Sequence, residues 1–216
     1  MVRGMEPLPI SVVIPVRNAE RFLEECLASV ARQQPNEIIV VDGLSTDRTL
    51  EIARRYTDRV ISDDGMGVAA ARRMGVAEAG SPWVALVDAD VVLPDEALRC
   101  LFDEFKEGGY VGLQAALHSV SGDGYWGRAL VQHHRTGRSK NWFGLVATMF
   151  ERDAFLKVGL DEAFLFVDPQ RARVAAGDAR RDRDHIDGSA STRHGVGIRP
   201  INAIVKVLVV GTPSLA

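Results

Sequence analysis

Three short runs rich in β-branched residues constrain this chain more than any other feature. Ile10 to Val16 reads ISVVIPV, Glu37 to Val41 reads EIIVV, and Trp83 to Val87 reads WVALV. None alternates apolar with polar, which suits strands buried on both faces. A shorter strand is expected over Arg59 to Ser62. Helical patterns separate the runs. Ala19 to Gln33 carries Phe22, Leu23, Cys26, Leu27 and Val30 at helical spacing. Asp47 to Tyr56 carries Leu50, Ile52 and Ala53, Gly67 to Ala79 is rich in alanine, and Pro94 to Phe105 has proline at its expected first turn. Strand and helix alternate four times, which predicts an α/β fold with a parallel sheet wrapped by helices.

Beyond Phe105 the pattern weakens. Tyr110 to His118 and Phe143 to Phe150 read as strands, and Arg152 to Val158 as a short helix. Gly122 to Arg138 is polar, with aromatic and basic residues. Residues 168 to 199 are dominated by Arg, Asp, Ala and Gly, with no aromatic residue and no clear period. Loop or disorder is the default for such a composition. Ile201 to Val210 is apolar again, and fits a strand, a docked helix or a membrane-apposed stretch equally.

With 216 residues, 46% of them apolar, the chain is long enough for one domain with a real core. A net charge of -3 leaves no general basic surface for nucleic acid. Cys26 and Cys100 both fall in helical segments and read as buried free thiols in a reducing compartment. Nothing before Pro9 resembles a signal peptide, and no apolar run is long enough to span a bilayer. A cytoplasmic location follows as the expectation, or one at the inner face of the membrane with peripheral contact.

In a parallel sheet ligands bind beyond the carboxyl ends of the strands, where strand order reverses. Three of the expected strands end in polar clusters: Pro15-Val16-Arg17-Asn18, Asp42-Gly43-Leu44-Ser45-Thr46-Asp47, and Asp88-Ala89-Asp90. Asp88 and Asp90, two positions apart on an extended backbone, would project to one side. Their mutual repulsion would be relieved by a hard divalent cation such as Mn²⁺ or Mg²⁺. The competing reading is a capping Asp88 and a solvated Asp90. Asp42 would accept from a base or a ribose, or else serve as a turn residue. Asp47 reads as a helix cap, and Ser45 and Thr46 as turn formers. Arg72 could pair with a diphosphate; Arg73 fits a solvated helix face as well. His133, His134, Arg135, Arg138 and Lys140 form a basic cluster without the carboxylate spacing of a zinc motif.

Taken together these segments resemble the family 2 glycosyltransferases of GT-A fold. Ser11 to Asn18 resembles the family's opening strand with its P-x-x-N step. Val40 to Thr49 resembles V-D-D-G-S-x-D-x-T, with Gly43 in place of the second Asp. Ala71-Arg72-Arg73-Met74-Gly75 resembles A-R-N-x-G, and Val87 to Asp90 the D-x-D motif. Met149 to Phe155 and Val158 to Glu162 resemble an acceptor-side R-x-A-F helix followed by G-x-F-D-E. The resemblance covers about residues 9 to 165 and implies a GT-A, Rossmann-like three-layer sandwich with a mostly parallel central sheet. It implies a nucleotide diphosphate sugar donor contacted by Pro15, Arg17, Asn18, Asp42, Arg72 and Asp88, and a metal on Asp88 and Asp90. The acceptor would be a hydroxyl, lipid-linked, polysaccharide or small, and transfer would invert configuration. The family's Glu-Asp pair, which supplies the general base, does not occur here. Asp168 is the nearest carboxylate in a comparable place and takes the base role. Residues 166 to 216 read as a divergent or frame-shifted tail after a domain over 1 to 165. A nucleotidyltransferase would favour a Gly-rich, Lys-containing loop after the first strand, which this chain lacks. A non-catalytic nucleotide-sugar-binding module would be consistent with the missing Glu-Asp pair.

Overall fold

A computed structural model describes residues 6–108, 110, 112–121, 145–158 and 201–209. Their elements run β1 (Leu8–Val16), α1 (Leu23–Arg32), β2 (Pro35–Asp42), α2 (Thr49–Ala53), β3 (Val60–Ser62), α3 (Val68–Glu78), β4 (Trp83–Val87) and β5 (Val91–Val92). They continue with α4 (Ala97–Gly108), β6 (Gly112–Ser121), β7 (Ala147–Glu151), α5 (Arg152–Val158) and β8 (Ile201–Val209).

The strands form one sheet in the order β3-β2-β1-β4-β7-β6-β8-β5. β3, β2, β1 and β4 are mutually parallel, and β7 joins antiparallel to β4. β6 pairs antiparallel with β7 and parallel with β8, which pairs antiparallel with β5. Of the three forms open to the apolar stretch near the C-terminus, residues 201–209 take the strand.

The central strands lack a polar–apolar alternation because both faces are covered. Ile10, Val12, Ile14 and Val16 of β1 pack with Leu23, Cys26, Leu27 and Val30 of α1 and with Leu98, Leu101, Phe102 and Phe105 of α4. Val13 points the other way, packing with Ile39 and Val41 of β2, Ala71 and Val76 of α3 and Phe155 of α5. Two apolar layers, one on each face of the sheet, give the three-layer arrangement.

α3 approaches the sheet through small residues. A Cβ placed on Gly75 would lie 2.3 Å from Val13 Cγ1 and 3.1 Å from Val41 Cγ2. Those partners are β-branched strand residues with little rotamer freedom. Gly75→Ala therefore overpacks this contact and is expected to cost about 1–3 kcal/mol. A urea midpoint equal to wild type would show that α3 has room to retreat.

Two sequence expectations are corrected. Pro94 precedes α4 instead of occupying its first turn: its carbonyl accepts the Ala97 N–H at 3.2 Å, and α4 begins at Ala97. Cys26 is buried as expected, but Cys100 is exposed, on the face of α4 turned from the sheet.

Candidate functional site

Parallel register brings Val16, Asp42 and Ser62 level at the carboxyl ends of β1, β2 and β3. β1 lies between β2 and β4, so strand order reverses there, and the loops after β1 and β4 flank the crevice that this reversal opens.

The loops after β1 and β2 are tied by bonds running in both directions. Asn18 N–H donates to Ser45 Oγ (2.9 Å), while Asn18 Oδ1 accepts from Thr46 N–H (2.8 Å). Glu20 N–H donates to Asp47 Oδ2 (3.1 Å), and Arg48 N–H to Glu20 Oε2 (3.0 Å). Ala19 N–H donates to Thr49 Oγ1 (2.7 Å), and Gly43 N–H to the Val16 carbonyl (2.8 Å). Asp47 also takes the Thr49 N–H at 3.0 Å, the capping role read from sequence. Asp42 is buried and accepts the Ser45 N–H at 3.1 Å, so its carboxylate holds the turn. These bonds use the oxygen of Asn18 and part of the capacity of Asp42 inside the protein.

Beside this clasp lies a cavity of about 180 Å³. Pro15, Val16, Arg17, Gly43, Asp63, Gly65, Gly67, Val68 and Ala71 line it. Of the residues expected at the site, Pro15 and Arg17 stand in its wall. Asn18, Asp42 and Arg72 are chain neighbours of lining residues, whereas Asp88 and Asp90 are not in the lining; Asp88 connects to it through its bond with Arg72. Asp63 went unrecognised in the sequence. It is buried, and its two oxygens accept from Gly65 N–H (2.8 Å) and Gly67 N–H (3.0 Å), which curls the loop after β3 around the cavity. Gly65 (φ 76°) and Gly67 (φ 96°) take the left-handed backbone this curl requires. The Asp-Asp-Gly-Met-Gly string after the third strand was the available signal. Gly43, where the family pattern has a second Asp, is not kept small by crowding. Its nearest neighbours would lie at an ordinary 3.4 Å from a Cβ.

On the other side of the strand reversal, Arg72 Nη2 of α3 donates to Asp88 Oδ1 at 2.6 Å. The Arg72 side chain is 8% exposed and that of Asp88 27%, so water screens the pair only weakly. Burial pushes the Asp88 carboxyl up, Arg72 pulls it down, and Asp90 pushes it up again. Asp90 is half-buried, and desolvation raises its carboxyl as well. Asp88 and Asp90 do not meet on a pleat: β4 ends at Val87, and the Val91 N–H to Asp88 carbonyl bond (3.0 Å) closes a turn. Beneath it Cys26 Sγ donates to the same carbonyl at 3.5 Å. Burial, with Asp90 and Asp88 adding, pushes the thiol up, which keeps it a donor. Arg73, by contrast, is exposed. Asp168 and the cluster of His133, His134, Arg135, Arg138 and Lys140 lie outside the described residues.

The donor set suits a hard cation. Two carboxylates sit in one turn, and among the described residues the Asp90 carboxylate is approached by its own backbone N–H alone. Arg72 Nε is buried without a hydrogen-bond partner among those residues, a donor left over for a ligand oxygen. No cluster of three or more His, Cys, Asp or Glu occurs among the described residues.

The family described as Glycosyl transferase family 2 matches residues 11–164. The chain belongs to that family. Among curated relatives, the chain is 33% identical over 106 residues to glycosyltransferase GlyG of Streptococcus pneumoniae, covering 45% of this chain and 35% of that one. It is 36% identical over 112 residues to 4,4'-diaponeurosporenoate glycosyltransferase of Staphylococcus aureus, covering 48% and 30%. The family 2 chain thus spans about a third of the length of these relatives. Among solved structures it resembles the mannosyltransferase PcManGT of Pyrobaculum calidifontis, in complex with GDP-Man and Mn²⁺. That match has a TM-score of 0.62 at 19% identity over 94% of this chain and 59% of that chain. It also resembles S. aureus TarS 1-349 in complex with UDP-GlcNAc, with a TM-score of 0.56 at 21% identity over 70% and 48%. These likenesses bear out the GT-A arrangement expected from the sequence. No helix among the described residues is long and apolar enough to cross a membrane.

Proposed function

We propose that this family 2 chain transfers a glycosyl group from a nucleotide diphosphate sugar to an acceptor hydroxyl, with inversion at the anomeric carbon. The observation that carries the reading is the part-buried Arg72–Asp88 pair with Asp90 beside it, joined through α3 to the glycine-walled cavity at the strand ends. Pro15 and Arg17 would receive the nucleoside, with Asp42 and Asn18 holding the rim from behind. Arg72 would meet the diphosphate as a guanidinium fork. Asp88 and Asp90 would hold Mn²⁺ or Mg²⁺, which when bound stabilises negative charge on a departing diphosphate. Asp168 is assigned the proton of the acceptor hydroxyl as general base. In this reading the donor is drawn from the cytoplasm, and the acceptor is a lipid-linked, polysaccharide or small hydroxyl compound. The two complexed neighbours support the donor class, since their names carry a nucleotide sugar.

A thermal-shift series with UDP-GlcNAc, GDP-Man and other nucleotide sugars, each with Mn²⁺ or EDTA, tests the reading. One donor is expected to raise the melting temperature with metal present, and release of nucleoside diphosphate is expected once an acceptor is supplied. Indifference to every donor in the presence of metal would sink it. Binding with no donor consumption across many acceptors would instead favour a non-catalytic module.

A further inference from the structure

The cavity rim carries apolar surface that neither the loop clasp nor the Arg72–Asp88 pair explains. Four large hydrophobic side chains are exposed among the described residues: Leu44 (56%), Met66 (61%), Val68 (37%) and Leu156 (38%). The first three gather at this one cavity. Val68 lines it, and Leu44 and Met66 flank the lining residues Gly43, Gly65 and Gly67. Leu44 is also held at φ 61°, a left-handed backbone that disfavours any residue with a Cβ. Its side chain gains no core burial in return. Instead it lies over the loop after β3, with Cδ1 3.1 Å from where a Cβ on Gly65 would stand. In front of Gly67 the space is open: a Cβ there would meet nothing within 4 Å. An exposed apolar residue kept in a strained conformation at a cavity mouth points to a ligand.

We propose that Leu44, with Met66 beside it, forms an apolar clamp against the face of the donor's nucleobase. The proposal rests on the donor reading above and extends it to a residue outside the acidic motifs. A flat heteroaromatic ring fits better than a lipid chain. The same wall carries Arg17, an exposed residue whose guanidinium would meet the edge of a ring but leave a hydrocarbon chain unmatched. The cavity also falls below the roughly 300–1,000 Å³ typical of whole-ligand sites, so it suits one ring of a larger donor.

Leu44→Gly, Leu44→Asn and Leu44→Met test the clamp by titration with UDP and GDP in the presence of Mn²⁺. Glycine and asparagine both tolerate the left-handed region, so these variants are expected to melt at or above wild type. Both should nevertheless bind the nucleotide about tenfold more weakly, while Leu44→Met stays within about twofold of wild type. Glycine and asparagine variants that bind like wild type would overturn the clamp, as would weaker binding that tracks a lowered melting temperature. Pelleting with phosphatidylglycerol–phosphatidylcholine vesicles supplies a further arm. Loss of vesicle binding in Leu44→Asn with nucleotide affinity intact would overturn the clamp in favour of a membrane contact. Wild-type protein that binds neither nucleotide would remove the donor reading and the clamp together. Wild-type binding shared equally by the variants would remove the clamp alone.

Discussion

Asp90→Ala is expected to lower glycosyl transfer by about 10²–10³-fold or more, the range seen when one element of charge stabilisation is removed from a reacting centre. The same variant should lose the Mn²⁺-dependent rise in melting temperature with donor. Its ligand-free stability should not fall. The Asp90 carboxylate is half-buried, next to Asp88, and no other described residue donates to it, so removing it relieves repulsion and desolvation. Melting curves with and without donor and metal, beside a nucleoside diphosphate release assay, check both halves. Full turnover in Asp90→Ala would end the metal assignment.

Arg72→Met should give the opposite signature. It leaves Asp88 largely out of water with its guanidinium partner gone. Breaking a fully buried pair costs about 3–5 kcal/mol, and since Asp88 keeps about a quarter of its exposure the low end, about 3 kcal/mol, applies. The carboxyl, already raised by burial, rises further once Arg72 no longer pulls it down. Pairing Arg72→Met with Asp88→Asn should recover most of that stability, because the lone charge is gone, yet donor binding should stay lost. Urea denaturation of the two single variants and the double supplies the cycle. Equal midpoints in Arg72→Met and wild type would show that the pair contributes nothing to the fold.

Much of the fold around these two residues is legible in the sequence. The runs ISVVIPV, EIIVV and WVALV announced buried parallel strands, and the structure covers both of their faces with helices. Strand ends also converge as expected, because in a parallel sheet chain direction alone brings carboxyl ends to one edge. What could not be read was how side chains share the work there. The Asn18 oxygen takes the Thr46 N–H across a separation of 28 residues, which no local pattern announces, while Asp42 takes the nearby Ser45 N–H, the turn role that was one of its two sequence readings. Asp63 carries no sequence signal of its role beyond the glycines after it, since it follows a strand of only three residues and its bonds go to backbone. Asp88 and Asp90 were expected on a pleat and lie in a turn. A spacing of two residues has either meaning, and only the end of β4 decides it. The left-handed backbone of Leu44 is not legible in the sequence, because backbone handedness leaves no trace in hydrophobic pattern.

The reciprocal bonding of residues 16–20 with residues 42–49 has a consequence for anyone recombining such chains. Each segment supplies both donors and acceptors to the other, so neither is a self-contained module. Grafting one from a homologue would strand amide hydrogens facing a foreign partner, whereas exchanging the two as a matched cassette would carry the whole latch across intact. The unit of inheritance at this edge is a pair of segments distant in sequence, and chimaera boundaries should be drawn around the pair.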